Sequence, residues 1–174
     1  QKKSDIIRSF YEYLHDSLSP EGIIISADVF GMTTTNTDDL NIGQILENTL
    51  PYFDYISPMV YPSHYPPNFM NLGNPNDHVY EVVKISMDHA IERTIATTTT
   101  VILPNARIGT SSPAIYTKPS FDKNKLRPWL QDNNYPVPYT AEMVRAQIQA
   151  TYDSGLNSWM LWNAGNRYTR SALE

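Results

Sequence analysis

The 174-residue sequence contains no cysteine. Disulfides and thiolate metal sites are therefore excluded, and the compartment is left open, because extracellular proteins need not carry disulfides. No apolar run approaches the roughly 20 residues that a membrane-spanning helix needs, so no membrane span is expected. Thirteen Lys and Arg stand against 18 Asp and Glu, a net charge of −5. Without clustered basic residues there is no electrostatic footprint for nucleic acid. Glycine is scarce, with 7 residues, and none builds a phosphate-cradling Gly-rich loop, which argues against a nucleotide enzyme. No secretory leader pattern is visible, and since the chain begins at Gln1 rather than Met the question of a leader stays open.

What is present is a composition normal for a globular domain, 41% hydrophobic and 18% charged. The length suits a single domain over 1–174. Twelve Tyr, three Trp and five Phe make 11% aromatic. Many lie near strand ends and Pro-rich turns, where their faces suit stacking on sugar rings; the alternative for each is an ordinary place in the core.

The periodicity predicts a helix over 5–18, with Ile6, Ile7, Phe10, Leu14 and Leu18 as its inward stripe, Ser4 or Asp5 as its cap and Pro20 as its stop. Ile23-Ile24-Ile25 reads as a strand buried on both faces. A polar loop over 33–39 and a short helix over 42–50 follow. A second strand is expected over 53–61, with Pro58 producing a bulge or an early fray on one side, since it cannot donate to a ladder. After a loop over 62–76, a helix over 78–95 is capped by Asn76 or Asp77. Residues 97–125 read as a strand followed by a loop or insertion. A strand over 126–131, a helix over 141–154 capped by Thr140 and ended by Gly155, and a strand over 158–162 complete the order. Alternating strands and helices imply a parallel sheet in an α/β fold, with about four βα units, half of an eight-fold (β/α) barrel.

In parallel α/β architectures the chemistry sits at the C-terminal ends of the strands. That rule selects Asp28 after the first strand; Tyr61, Ser63, His64 and Tyr65 after the second; Arg127, Trp129, Gln131 and Asp132 at the third; and Trp162 and Asn163 at the last. Asp28 reads either as a catalytic acid/base or the tuner of one, or as a structural carboxylate bonded to loop amides. Tyr61 reads as a substrate-orienting phenol or a core phenol. His64 is a proton carrier or, less simply, a metal ligand, although it lacks ligand spacing. Gln131 is placed to bond a sugar hydroxyl, Arg127 and Asp132 to form a structural ion pair framing the groove, and Trp162 to floor it as a platform. Asp54 opens its strand and lies on the stability face. His15, His78 and His89 read as solvated helix positions. No cofactor or metal is implied.

Four ordered stretches, Ile25-Ser26-Ala27-Asp28-Val29-Phe30-Gly31, Tyr55-Ile56-Ser57-Pro58-Met59-Val60-Tyr61-Pro62-Ser63-His64-Tyr65, Arg127-Pro128-Trp129-Leu130-Gln131-Asp132 and Trp159-Met160-Leu161-Trp162-Asn163-Ala164, resemble the bacterial and archaeal "putative glycosyl hydrolase domain" family, DUF4015. The likeness covers nearly all of the chain except about 97–124, which reads as an insertion. It implies a TIM barrel to which this chain supplies the fifth to eighth strands, a carbohydrate substrate and an extracellular or cell-envelope setting. The Met59-Val60-Tyr61 and Trp162 stretches are also similar to the sixth and eighth strands of chitinase-type barrels, where the Tyr lines and the Trp floors a sugar subsite. The family's principal carboxylate is expected on a strand preceding this chain, so the chain is expected to be incomplete for two-carboxylate hydrolysis, and its exposed sheet edges to favour self-association. The reading taken is a carbohydrate-active domain of glycoside-hydrolase type without cofactor, and two others compete with it: a non-catalytic polysaccharide-binding module, and a metal-dependent hydrolase such as a deacetylase using His64 with Asp28.

Overall fold

The computed structural model describes residues 2–95, 98–101 and 114–174. The first helix, α1 (Lys3–Leu18), starts two residues earlier than its pattern suggests. Ser4 and Asp5 lie inside it, and the Asp5 carboxylate accepts the Lys2 amide. Its inward stripe is Ile7, Tyr11, Leu14 and Leu18. Ile6 and Phe10, expected inside, stand on the exposed side with Tyr13. Tyr11 replaces them, packing its ring edge-on against Phe53.

The first strand is β1 (Ser26–Phe30), later than the Ile-Ile-Ile run. Ile24 is 73% exposed and Ile23 half exposed; only Ile25 is buried. Asp54 sets this start, because its carboxylate accepts the Ile25 amide at 2.8 Å. After the single helical turn α2 (Leu46–Thr49), β2 (Tyr55–Val60) lies parallel to β1. Helix α3 (Val79–Thr94) buries Val82, Val83, Met87 and Ala90; no side chain of Asn76 or Asp77 caps it, and Asn74 instead accepts the Asn76 amide in the turn before it. A short antiparallel hairpin, β3 (Thr98–Val101) with β4 (Ala114–Thr117), follows. The rest of the expected 97–125 insertion lies partly outside the described residues.

Strand β5 (Trp129–Gln131), helix α4 (Ala141–Asp153) and strand β6 (Met160–Trp162) complete the chain. Thr140 caps α4 by accepting the Met143 amide, and Gly155 turns the chain at φ +78°. The order β1-β2-β5-β6 is parallel throughout. Pro58 falls in central β2, and the ladder to β5 is interrupted beside it, between the Ile56–Leu126 bridge and the Met59–Trp129 pair. The missing proline N–H is thus accommodated by a local break.

Because side chains alternate along a strand, the sheet has two distinct faces. Val29, Ile56, Val60 and Leu130 point to one and join the core with Met87, Ala90 and Ala150 of the helices. The other face carries Asp28, Ser57, Trp129 and Trp162, with Asp28 level with Ser57 and Gln131 level with Trp162. Asp28, Phe30 and Trp162 on it are exposed. An α/β sheet normally has both faces covered; among the described residues helices cover one.

Candidate functional site

The uncovered face gathers Asp28, Trp129 and Trp162. Asp28 lies inside β1 rather than beyond its end, and it is exposed. The burial cost that made it conspicuous in the sequence therefore does not apply. Its Oδ1 accepts the Trp129 indole N–H at 2.9 Å, a bond that crosses from β5 over β2 to β1. Trp129 in turn meets Trp162 edge-to-face, with centroids 6.0 Å apart at 84°. Trp162 is 44% exposed, so it does not take the ordinary place in the core that is the alternative for an aromatic. Arg127 stacks its guanidinium 3.8 Å from the centre of the Tyr55 ring and donates to Ser158.

The expected Arg127–Asp132 ion pair does not form. Asp132 is buried and accepts both the amide and the hydroxyl of Thr169, at 2.7 and 2.6 Å. Gln131 is likewise redirected. It is fully buried; its carbonyl accepts the Ser63 amide and hydroxyl, and its amide donates to the carbonyls of Asn133 and Tyr135. With both ends engaged, it ties the loop after β2 to the loop after β5 and offers a sugar nothing. Asn163 is also spent on its turn, donating to the Asp132 carbonyl and accepting the Gly165 amide.

Above the ends of β1 and β2, a cavity of about 240 Å³ is walled by Phe30, Gly31, Met32, Met59, Tyr61, His64 and Tyr65. Tyr61 is buried, and burial first, the negative charge of Asp28 second, push its phenol well above its ordinary range. It is therefore a neutral hydrogen-bond donor at physiological pH, within electrostatic reach of Asp28. Tyr65 is buried too, its hydroxyl paired with Ser86 at 2.9 Å and its ring edge-on to Phe69. Burial raises its phenol, and it offers the cavity a wall. His64 is exposed and meets Tyr61 and Tyr135 edge-on. Gly31 has no room for a side chain: a Cβ there would lie 2.5 Å from the Met59 carbonyl oxygen and 2.6 Å from the Tyr65 hydroxyl. A second, polar cavity of about 430 Å³ opens between the loops after β5 and β6, around Asn134, Tyr139 and Arg167.

No group of three or more His, Asp or Glu able to hold a metal occurs among the described residues. None of their helices is long and apolar enough to cross a membrane. His15, expected solvated, is half buried and bonds the Tyr52 carbonyl.

Sequence reasoning missed Phe30, Met59, Ser57 and Tyr135. Phe30 was legible as the residue two on from Asp28, on the same strand face. Met59 and Ser57 needed the register between β1 and β2, which no local pattern encodes. Tyr135 is 58% exposed beside His64, and only the folded loops bring the two together.

Among solved structures, the fold is similar to the glycoside hydrolase domain of PgaB (BpsB) from Bordetella bronchiseptica, with a TM-score of 0.54 and 12% sequence identity. The similar region covers 92% of this chain and 37% of that one, so this chain spans well under half of that domain's length. At that identity the likeness speaks to the fold: an α/β arrangement with a four-stranded parallel sheet. No curated protein matches the chain. Residues 1–168 match the family model described as "Putative glycosyl hydrolase domain", and the chain belongs to that family, DUF4015.

Proposed function

We propose that the chain forms the glycan-contacting half of a (β/α)8 barrel of glycoside-hydrolase type, a single domain in which the 97–125 stretch is an insertion, acting on a polysaccharide or cell-wall glycan. The observation that carries this reading is the uncovered sheet face, where one carboxylate, Asp28, lies beside two indoles in edge-to-face contact. Closed into a barrel, that face becomes the lumen, whose C-terminal mouth holds the active site. Trp162 then serves as a platform for a sugar ring, Trp129 as its wall, and Tyr61 and His64 as polar contacts at the mouth. Asp28 moves a proton to or from the scissile oxygen or the attacking water.

Asp28 is the one carboxylate in the described strands of the parallel sheet. Two-carboxylate hydrolysis needs another, so the reading includes that the chain alone is catalytically inert. Reducing-sugar release from cell-wall and storage polysaccharides tests both parts. The isolated chain is expected to be silent. The chain within a complete barrel is expected to be active, and Asp28→Asn to lower that activity by orders of magnitude. Cleavage by the isolated chain would overturn the incompleteness, and an Asp28→Asn barrel of full activity would overturn the role of Asp28.

A second reading, a non-catalytic polysaccharide-binding module, is favoured by one observation: Asp28 already has its Oδ1 committed to the Trp129 indole. It predicts that Trp162→Ala abolishes glycan binding while Asp28→Asn leaves it intact.

A further inference from the structure

One buried polar side-chain atom among the described residues has no hydrogen-bond partner: the Ser57 hydroxyl. Ser57 is completely buried in the middle of β2. Its neighbours Ile56 and Val60 belong to the helix-covered core, so strand alternation turns Ser57 to the other face, the one that carries Asp28. The parallel register sets Asp28 and Ser57 side by side. Same-level side chains on adjacent strands are about 5 Å apart. Trp129 starts level with Met59, one strand beyond, yet its indole N–H reaches Asp28. The ring therefore lies across β2 between the levels of Met59 and Ser57, which accounts for a residue on the open face being hidden from solvent.

A hydroxyl buried without a partner is costly, and native proteins keep few such groups without cause. Packing alone would be served better by Ala or Val at this position. We propose that Ser57 is a ligand-contacting residue that forms, with Asp28, a two-point polar receptor for one sugar hydroxyl beneath the Trp129 indole. The sugar hydroxyl donates to the Asp28 carboxylate and accepts from the Ser57 Oγ–H, and the indole shifts off Asp28 to admit it. Trp129 is thus both a wall of the groove and the cover of this receptor. The inference rests on the carbohydrate reading of the open face and adds to it the residue that fixes one hydroxyl in place.

The test is Ser57→Ala, made in the full chain and titrated by calorimetry with the hexasaccharides of cellulose, xylan, chitin and chitosan, beside wild type. Because the hydroxyl holds nothing in the free protein, Ser57→Ala is expected to melt at the same temperature as wild type or higher. It is expected to bind the recognised hexasaccharide about five-fold more weakly, the size of one neutral hydrogen bond. Unchanged affinity in Ser57→Ala would overturn the proposal and leave the carbohydrate reading standing. A clear drop in melting temperature would overturn it as well, by showing that the hydroxyl has a structural partner. Wild type that binds none of the four would overturn both this proposal and the reading beneath it.

Discussion

Arg93, near the end of α3, offers the sharpest stability prediction. Its guanidinium grips Glu47 of α2 with two N–H groups, the Nε bond being 2.8 Å long, and donates through Nη1 to the backbone carbonyls of Thr33, Thr34 and Asn36. Lys118 adds a contact to Glu47 at 3.5 Å. The Arg93 side chain is 13% exposed and that of Glu47 34%. Arg93→Met keeps the stem but takes the donor from three carbonyls and leaves the Glu47 carboxylate with Lys118 alone. Breaking a buried pair from one side costs about 3–5 kcal/mol, and the partial exposure of Glu47 brings the expectation down to about 3 kcal/mol. At a slope near 2 kcal/mol per molar, the urea midpoint falls by about 1.5 M, and the melting temperature of a domain this size falls by about 6–12 °C. Burial alone would raise the Glu47 carboxyl, but its bonds to Arg93 and the Lys118 charge outweigh it and hold the group below its ordinary value. A carboxyl lowered in the folded state stabilises fully above its unfolded pKa, and that stability is lost as pH falls through the folded value. The gap between wild type and Arg93→Met should therefore be widest near neutral pH and narrow on acidification below the usual Glu range, leaving the part that comes from the three carbonyls. A loss under about 1 kcal/mol at pH 7, or a gap independent of pH, would refute this account of the clamp.

Three further outcomes are expected. Gly31→Ala forces a methyl against the Met59 carbonyl and the Tyr65 hydroxyl, and should cost about 1–3 kcal/mol in a thermal melt; stability equal to wild type would show that β1 can shift freely. Gln147, buried in α4, accepts the backbone N–H of Gln131 and donates to its backbone carbonyl, both at 2.9 Å, so Gln147→Ala should cost about 2–4 kcal/mol in urea unfolding by orphaning both groups. Among the described residues the outer edges of β1 and β6 are unpaired, and Phe10, Tyr13 and Ile24 are exposed, so the isolated chain should self-associate in sedimentation experiments and Ile24→Lys should weaken that; a monomer at all concentrations would contradict it.

The order of helices and parallel strands was legible because the helical stripes of α3 and α4, the Thr140 cap and the Gly155 stop are local signals. Errors cluster where tertiary contacts decide. The Ile23-Ile24-Ile25 run has strong strand propensity, but the Asp54 carboxylate and the register with β2 begin the strand later. In α1 a purely apolar pattern chose Ile6 and Phe10, while the structure buries Tyr11 against Phe53. At the candidate site, strand-end logic found Asp28, Trp129 and Trp162, which share one face. It also selected Gln131, Asn163 and Asp132, whose side chains instead brace the loops after β2, β5 and β6, because residue type and position along the chain do not reveal which polar groups a fold consumes internally.

The central claim, that the open sheet face receives a glycan, is tested most directly by the indole N–H signals of the three tryptophans, followed by NMR during titration with oligosaccharides. Trp129 and Trp162 lie on that face, while Trp159 packs against the core and bonds the Tyr152 hydroxyl at 3.0 Å. The account predicts that a recognised glycan shifts the Trp129 and Trp162 signals and leaves Trp159 in place. Saturable glycan binding that moves neither Trp129 nor Trp162 would contradict it.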